Sequence, residues 1–106
     1  MEMKRGQKVL ALCQKGNMRS VALAFLLKKE YKVDALAAGL VTSSFDTINM
    51  LCQWADLVVV TDKKLFPLVP PGYKEKLLLW DVGTDRWFKG FSDDLLSKFR
   101  GYISNA

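Results

Sequence analysis

Histidine is absent from this chain of 106 residues, and cysteine occurs only twice, at Cys13 and Cys52. The first absence excludes a Ser-His-Asp type of triad and a zinc site of the usual Cys/His composition. The second excludes a disulfide framework, which needs more cysteines. Long apolar runs are also missing. The longest, Val21–Leu27 and Leu57–Val60, fall far short of the ~20 residues that span a bilayer, so no membrane association is expected. The start, Met1-Glu2-Met3-Lys4-Arg5, has no apolar stretch of the kind that directs secretion, and a reducing, cytoplasmic setting is the expectation. Half of the residues are hydrophobic and a quarter charged. That is the composition of a globular chain, and the length suits a single domain over residues 1–106. The net charge of +5 favours anionic partners without selecting one.

The residues that are present read as alternating strands and helices. Lys8–Leu12 is a short apolar run ending at Cys13. A polar, Gly- and Asn-containing loop follows, and a helix pattern runs from about Met18 to Glu30, with Lys28 and Lys29 at its dipole-compatible end. Val33–Leu40 is a weaker strand. Ser43 or Ser44 caps a helix carrying Phe45, Ile48, Leu51, Cys52 and Ala55. Leu57–Val60 is a β-branched strand, and Asp62–Val69 a short helix stopped by Pro70 and Pro71. Lys76–Trp80 is a fourth strand, Val82–Gly90 a loop, and Ser92 caps a last helix bearing Leu95, Leu96, Phe99, Tyr102 and Ile103. Continuous apolar strands in a βαβαβαβα order predict an α/β three-layer sandwich around a four-stranded parallel sheet. Ligands in such folds bind at the carboxyl ends of the strands. Those ends hold Cys13, Thr61/Asp62 and Asp81–Phe88.

The segment after the first strand carries the chemistry: Cys13, Gln14, Lys15, Gly16, Asn17, Met18, Arg19, Ser20. A thiolate is favoured near a helix N-terminus and a cation. A short loop can turn its N–H groups inward as a nest for a phosphate dianion, so residues 14–18 (Gln14, Lys15, Gly16, Asn17, Met18) are the candidate phosphate cradle. Gly16 and Asn17 are the residue types that best tolerate φ > 0. Arg19 offers a planar fork to two phosphate oxygens. Ser20 can donate a hydroxyl hydrogen bond to the sulfur. With two Cys, four Arg and six Ser in 106 residues, this C-x5-R-S spacing arises by composition only about 0.4% of the time, before its strand-loop-helix context is counted. In-line cleavage of a phosphate ester also needs a proton for the leaving oxygen. Without histidine, a carboxyl group is the source, and Asp62, Asp81 and Asp85 lie at or after strand ends.

Cys13–Arg19–Ser20 resembles the phosphate-binding loop of the low-molecular-weight protein tyrosine phosphatases. The order of elements is similar too, and Trp54-Ala-Asp-Leu-Val-Val-Val-Thr-Asp62 resembles the strand and short helix that follow in that family. The chain is shorter than typical members, with the deficit between Gly39 and Phe45. Gly16 and Asn17 stand one place later than the family's Gly and Asn, and Met18 occupies a place where many members have a second cysteine. The family's acid lies in an Asp-Pro-aromatic motif after the fourth strand. Asp85-Arg86-Trp87-Phe88 stands there, with Arg86 replacing the proline. The resemblance implies a cysteinyl-phosphate phosphatase with no cofactor or metal. Cys13 is the nucleophile, Asp85 the acid and then base, and Trp87 and Phe88 the walls for an aryl group. Asp81 and then Asp62 are the other acid candidates.

The substrates implied are a phosphotyrosine protein or a small aryl phosphate, with phosphate or sulfate ion able to occupy the loop. Arsenate reduction would use the same loop but needs further cysteines, and only Cys52 remains. A phosphocysteine carrier would not need Arg19. A non-catalytic phosphate-binding module is the remaining alternative. Cys52 reads as a buried structural thiol. The pairs Lys28/Lys29 and Lys63/Lys64 are too dispersed to indicate nucleic-acid binding.

Overall fold

Four apolar runs become strands, and each is followed by a segment that covers one face of the sheet they form. The computed structural model describes residues 3–15, 18–83 and 92–105. In order, these are β1 (Lys8–Cys13), α1 (Arg19–Tyr31), β2 (Asp34–Gly39), α2 (Phe45–Trp54), β3 (Leu57–Val60), two short 3-10 segments (Lys63–Leu68 and Lys74–Lys76), β4 (Leu77–Leu79) and α3 (Asp93–Ser104). The sheet is parallel throughout, in the order β2-β1-β3-β4. This is the three-layer α/β architecture that the sequence predicts.

The layers follow from the period of two along each strand. Val9 and Ala11 of β1, with Ala35 and Val59, pack under α1 and α3 against Leu23, Leu26, Leu27, Leu95 and Phe99. Leu10 and Leu12, with Val58, face the other way onto Ile48, Cys52 and Ala55 at α2. β1 and β3 are buried on both faces, which is why they read as unbroken apolar runs. Successive β–α units leave β1 in opposite directions, to β2 on one side and β3 on the other. The crevice between the carboxyl ends of β1 and β3 is therefore the topological switch point of the sheet.

Helix boundaries have local causes. Ser44 caps α2, its hydroxyl accepting from Thr47 N at 3.1 Å, and Ser92 caps α3 in the same manner through Leu95 N. Asp93 and Asp94 in the first turn of α3 suit its dipole. α1 ends at Lys32 in the left-handed conformation (φ 58°), whose N–H closes on Leu27 O. Phe45 does not join the apolar face of α2 as its spacing predicts; it stands 62% exposed at the first helical position. The predicted helix over 62–69 is a 3-10 segment enclosing Pro67, since proline withholds the N–H that an α-helix would use. β4 is shorter than expected because Lys76 belongs to the preceding 3-10 turn. Beyond β4, Trp80 N still donates to Val60 O and Val82 N to Thr61 O, so the chain follows β3 as far as the switch point. Trp80 stacks on Tyr102 of α3 at 6.2 Å between ring centroids. Among the described residues, no helix is long and apolar enough to cross a membrane.

Candidate active site

β1 runs through both hydrophobic layers and ends at Cys13, which is itself buried. The chain leaves the sheet through Gln14 and Lys15, both exposed, and re-enters a helix at Arg19. The first turn of α1 holds Ser20 against the strand end. The Cys13 thiol donates to Ser20 Oγ at 3.1 Å. Once the sulfur is a thiolate, the same hydroxyl turns round and donates to it.

Arg19 is almost wholly buried, at 1% exposure. A guanidinium carries its charge at all ordinary pH, so burying it requires hydrogen-bonded partners. Nη1 has two: it donates to Gly83 O at 2.7 Å and to Asp62 Oδ2 at 3.3 Å. Asp62 is held in turn, its Oδ1 accepting from Lys64 N at 3.0 Å at the cap of the 3-10 segment. Thr61 braces this strand end, donating through N and Oγ1 to Leu12 O. Arg19 Nε is buried and has no partner among the described residues. An unsatisfied buried donor of this kind costs about 1–3 kcal/mol, and the cost vanishes when an anion sits on it.

Gly39 ends β2 directly behind the loop. A Cβ there would collide with the backbone of Lys15 and with Thr42 Oγ1, so the close approach of strand end to loop requires glycine. Gly39 was a boundary in the sequence and nothing more. Its role shows only when the loop lies against it.

The structure thus brings Cys13, Arg19 and Ser20 together, with Gln14 and Lys15 in the loop between them and Met18, half-buried, immediately before α1. Gly16, Asn17, Asp85, Trp87 and Phe88 lie outside the described residues. Asp62 serves as the buried partner of Arg19, with both carboxylate oxygens engaged. Asp81 accepts from Gly83 N at 2.8 Å and lines a cleft against α3 with Lys98, Tyr102 and Asn105. Cys52 sits fully buried between Leu10, Leu12 and Val58 on the α2 side, and burial pushes its thiol up from the ordinary range. No group of three or more His, Cys, Asp or Glu side chains that could hold a metal ion occurs among the described residues. The contact of Arg19 with Gly83 O had no signal in the sequence, since any residue supplies a carbonyl. The Arg19–Asp62 pair was not readable either, although Asp62 stood out as a strand-end carboxylate.

Two solved structures share this fold. Wzb of Vibrio vulnificus, in complex with benzylphosphonate, matches with a TM-score of 0.70 at 15% identity, over 94% of this chain and 99% of its own. The tyrosine phosphatase AmsI of Erwinia amylovora matches with a TM-score of 0.62 at 19% identity, over 93% of this chain and 87% of its own. The architecture is that of the low-molecular-weight tyrosine phosphatases, in agreement with the resemblance carried by the loop. No family model matches the chain, and no curated protein matches it.

Proposed function

We propose that the protein is a phosphomonoester hydrolase of the cysteinyl-phosphate type, acting on aryl phosphates such as phosphotyrosine. The observation that carries this reading is Arg19: a buried guanidinium, next in sequence to Ser20 of the Cys13–Ser20 pair, with Nη1 saturated by Asp62 and Gly83 and Nε left unpartnered among the described residues. A phosphate oxygen would complete that donor set. The AmsI neighbour is a tyrosine phosphatase and the Wzb neighbour holds a benzylphosphonate, which supports an aryl phosphate as the substrate class.

In the proposed first step the Cys13 thiolate attacks phosphorus in line. The S–P bond forms as the ester P–O bond breaks, and Asp85 gives its proton to the departing oxygen. Arg19 and the amides of the loop hold the equatorial oxygens while charge redistributes. In the second step a water attacks phosphorus and passes its proton to the Asp85 carboxylate. The P–S bond breaks, inorganic phosphate leaves, and the sulfur departs as a thiolate stabilised by the Ser20 hydroxyl. Gly83, two residues before Asp85 in the sequence, accepts a hydrogen bond from Arg19 Nη1, which supports Asp85 as the choice of acid. Trp87 and Phe88 are proposed as the walls against which an aryl group stacks.

Hydrolysis of p-nitrophenyl phosphate tests the reading. The expected result is turnover by the native protein, competitive inhibition by vanadate, and no turnover by Cys13→Ser. Equal rates for the two proteins would overturn the mechanism. Phosphate binding without turnover would replace the enzyme by a phosphate-binding module.

A further inference from the structure

Three successive carbonyls of the phosphate loop point the same way. Cys13 O accepts from Leu40 N at 2.9 Å, Gln14 O from Val41 N at 3.0 Å, and Lys15 O from Thr42 Oγ1 at 3.0 Å. The donors are consecutive residues of the connector between β2 and α2. No cis peptide bond occurs among the described residues, and in a trans peptide the C=O and the following N–H point in opposite directions. Carbonyls drawn toward β2 therefore turn the N–H groups of Gln14 and Lys15 away from it. β1 lies between β2 and β3, so those N–H groups face the β3 side, where Asp62 follows β3 and anchors Arg19. That is the side on which Arg19 Nε stands unpartnered among the described residues.

We infer that the Leu40–Thr42 connector is a template that orients the amides of the phosphate loop toward the anion, and that Thr42 is its positioning residue. This rests on the phosphate site proposed above. Leu40 and Val41 donate through the backbone, which any residue supplies. Thr42 donates through its side chain, so the third hydrogen bond depends on residue type. The template is stiff at both ends. Ser43 N donates to Gly39 O at 3.1 Å, Ser44 caps α2, and Gly39 leaves no room for a side chain between the connector and Lys15. Thr42 itself is exposed, so exchanging its hydroxyl for a methyl group leaves both hydrophobic layers untouched.

The test is inhibition by inorganic phosphate and by vanadate, with p-nitrophenyl phosphate as the reporter, in the native protein, Thr42→Val and Thr42→Ser. Thr42→Val is expected to weaken inhibition by phosphate about three- to tenfold, the worth of one net hydrogen bond. Its KM should rise in parallel, out of proportion to any fall in melting temperature. Thr42→Ser, which keeps the hydroxyl, restores the native constants. Gly39→Ala, which drives a methyl group into the Lys15 backbone, weakens phosphate inhibition further. Native inhibition in Thr42→Val, or a Thr42→Ser protein as impaired as Thr42→Val, overturns the inference and leaves the phosphatase reading standing. A native protein that neither turns over the reporter nor binds phosphate overturns both.

Discussion

Both cysteines are buried, and they differ in what surrounds them. Cys52 lies on the inner face of α2 among Leu10, Leu12, Ile48 and Val58. Burial raises its pKa, and the Lys76 charge opposes this without reversing it, so the thiol form is favoured. Cys13 sits at the end of a strand with a hydroxyl at 3.1 Å, and a buried cation occupies the first position of the helix that follows. Burial alone therefore says nothing about whether a thiol is chemical or structural. Reactivity follows from polar groups placed to stabilise the charged form; a hydroxyl and a helix start adjoin Cys13, whereas apolar side chains surround Cys52.

The sharpest way to break this contrast is at Arg19. Arg19→Lys keeps the charge and removes the fork. The expected loss of kcat/KM on an aryl phosphate is about 10²–10³-fold, and a loss below tenfold would mean that the buried cation does not serve the phosphate. Asp85→Asn comes next. It should lower kcat about 10²-fold and abolish the fall in rate at high pH that a required general acid produces. If that alkaline fall persists, the proton comes from elsewhere, and Asp81 becomes the residue to replace. Cys52→Ser works in the opposite sense. It buries a hydroxyl in an apolar layer, so stability should fall by about 1–3 kcal/mol in a denaturant titration while kcat/KM stays within about twofold. A catalytic loss out of proportion to the loss of folded protein would give Cys52 a second role.

The smallest effect lies far from both cysteines. Arg100 grips Glu30 through two hydrogen bonds, at 3.1 and 2.6 Å, joining the end of α1 to α3. The pair holds the Glu30 carboxyl below its ordinary value of 4.5, chiefly through the Arg100 hydrogen bond, and raises Arg100. A folded-state pKa below the unfolded one stabilises above the unfolded value, and that stabilisation disappears as pH falls through the folded value. Both groups are solvent-exposed, so the contribution is small and screened by salt. Melting curves of native protein and Glu30→Gln should differ slightly at pH 7 and converge well below pH 4.5. A difference that persists in acid would point to packing between the helices instead of charge.

The fold was legible because its signals are redundant. β1 and β3 are buried on both faces and had no polar residue to interrupt them. Ser44 and Ser92 mark helix starts with side chains that cap only there. The details that escaped are those decided by neighbours. Phe45 carries the spacing of a core residue but stands mostly exposed at the start of α2. Lys76 extends an apolar run but is taken into a 3-10 turn, where its ammonium donates to Ala55 O. In the candidate site, the Cys13–Arg19–Ser20 grouping was readable because it is local, within one loop and one helical turn. Asp62 was readable as a strand-end carboxylate but not as the partner of Arg19, which is set by the β1–β3 pairing. Gly39, Thr42 and Gly83 were not readable as site residues at all. Gly83 acts through its carbonyl, Gly39 through close approach and Thr42 through a hydroxyl, and each depends on a neighbour distant in sequence that its residue type does not name.

The alternation along β1 has a mechanical side. Leu10 and Leu12 are seated in one layer, Val9 and Ala11 in the other, and the sulfur projects from the next position. A strand held from above and below in this way behaves like a rail clamped between two blocks. It cannot tilt to relieve a void on either side without carrying its tip along. Damage deep in the α3 layer, at Phe99 for example, would travel along that rail and be read out at Cys13.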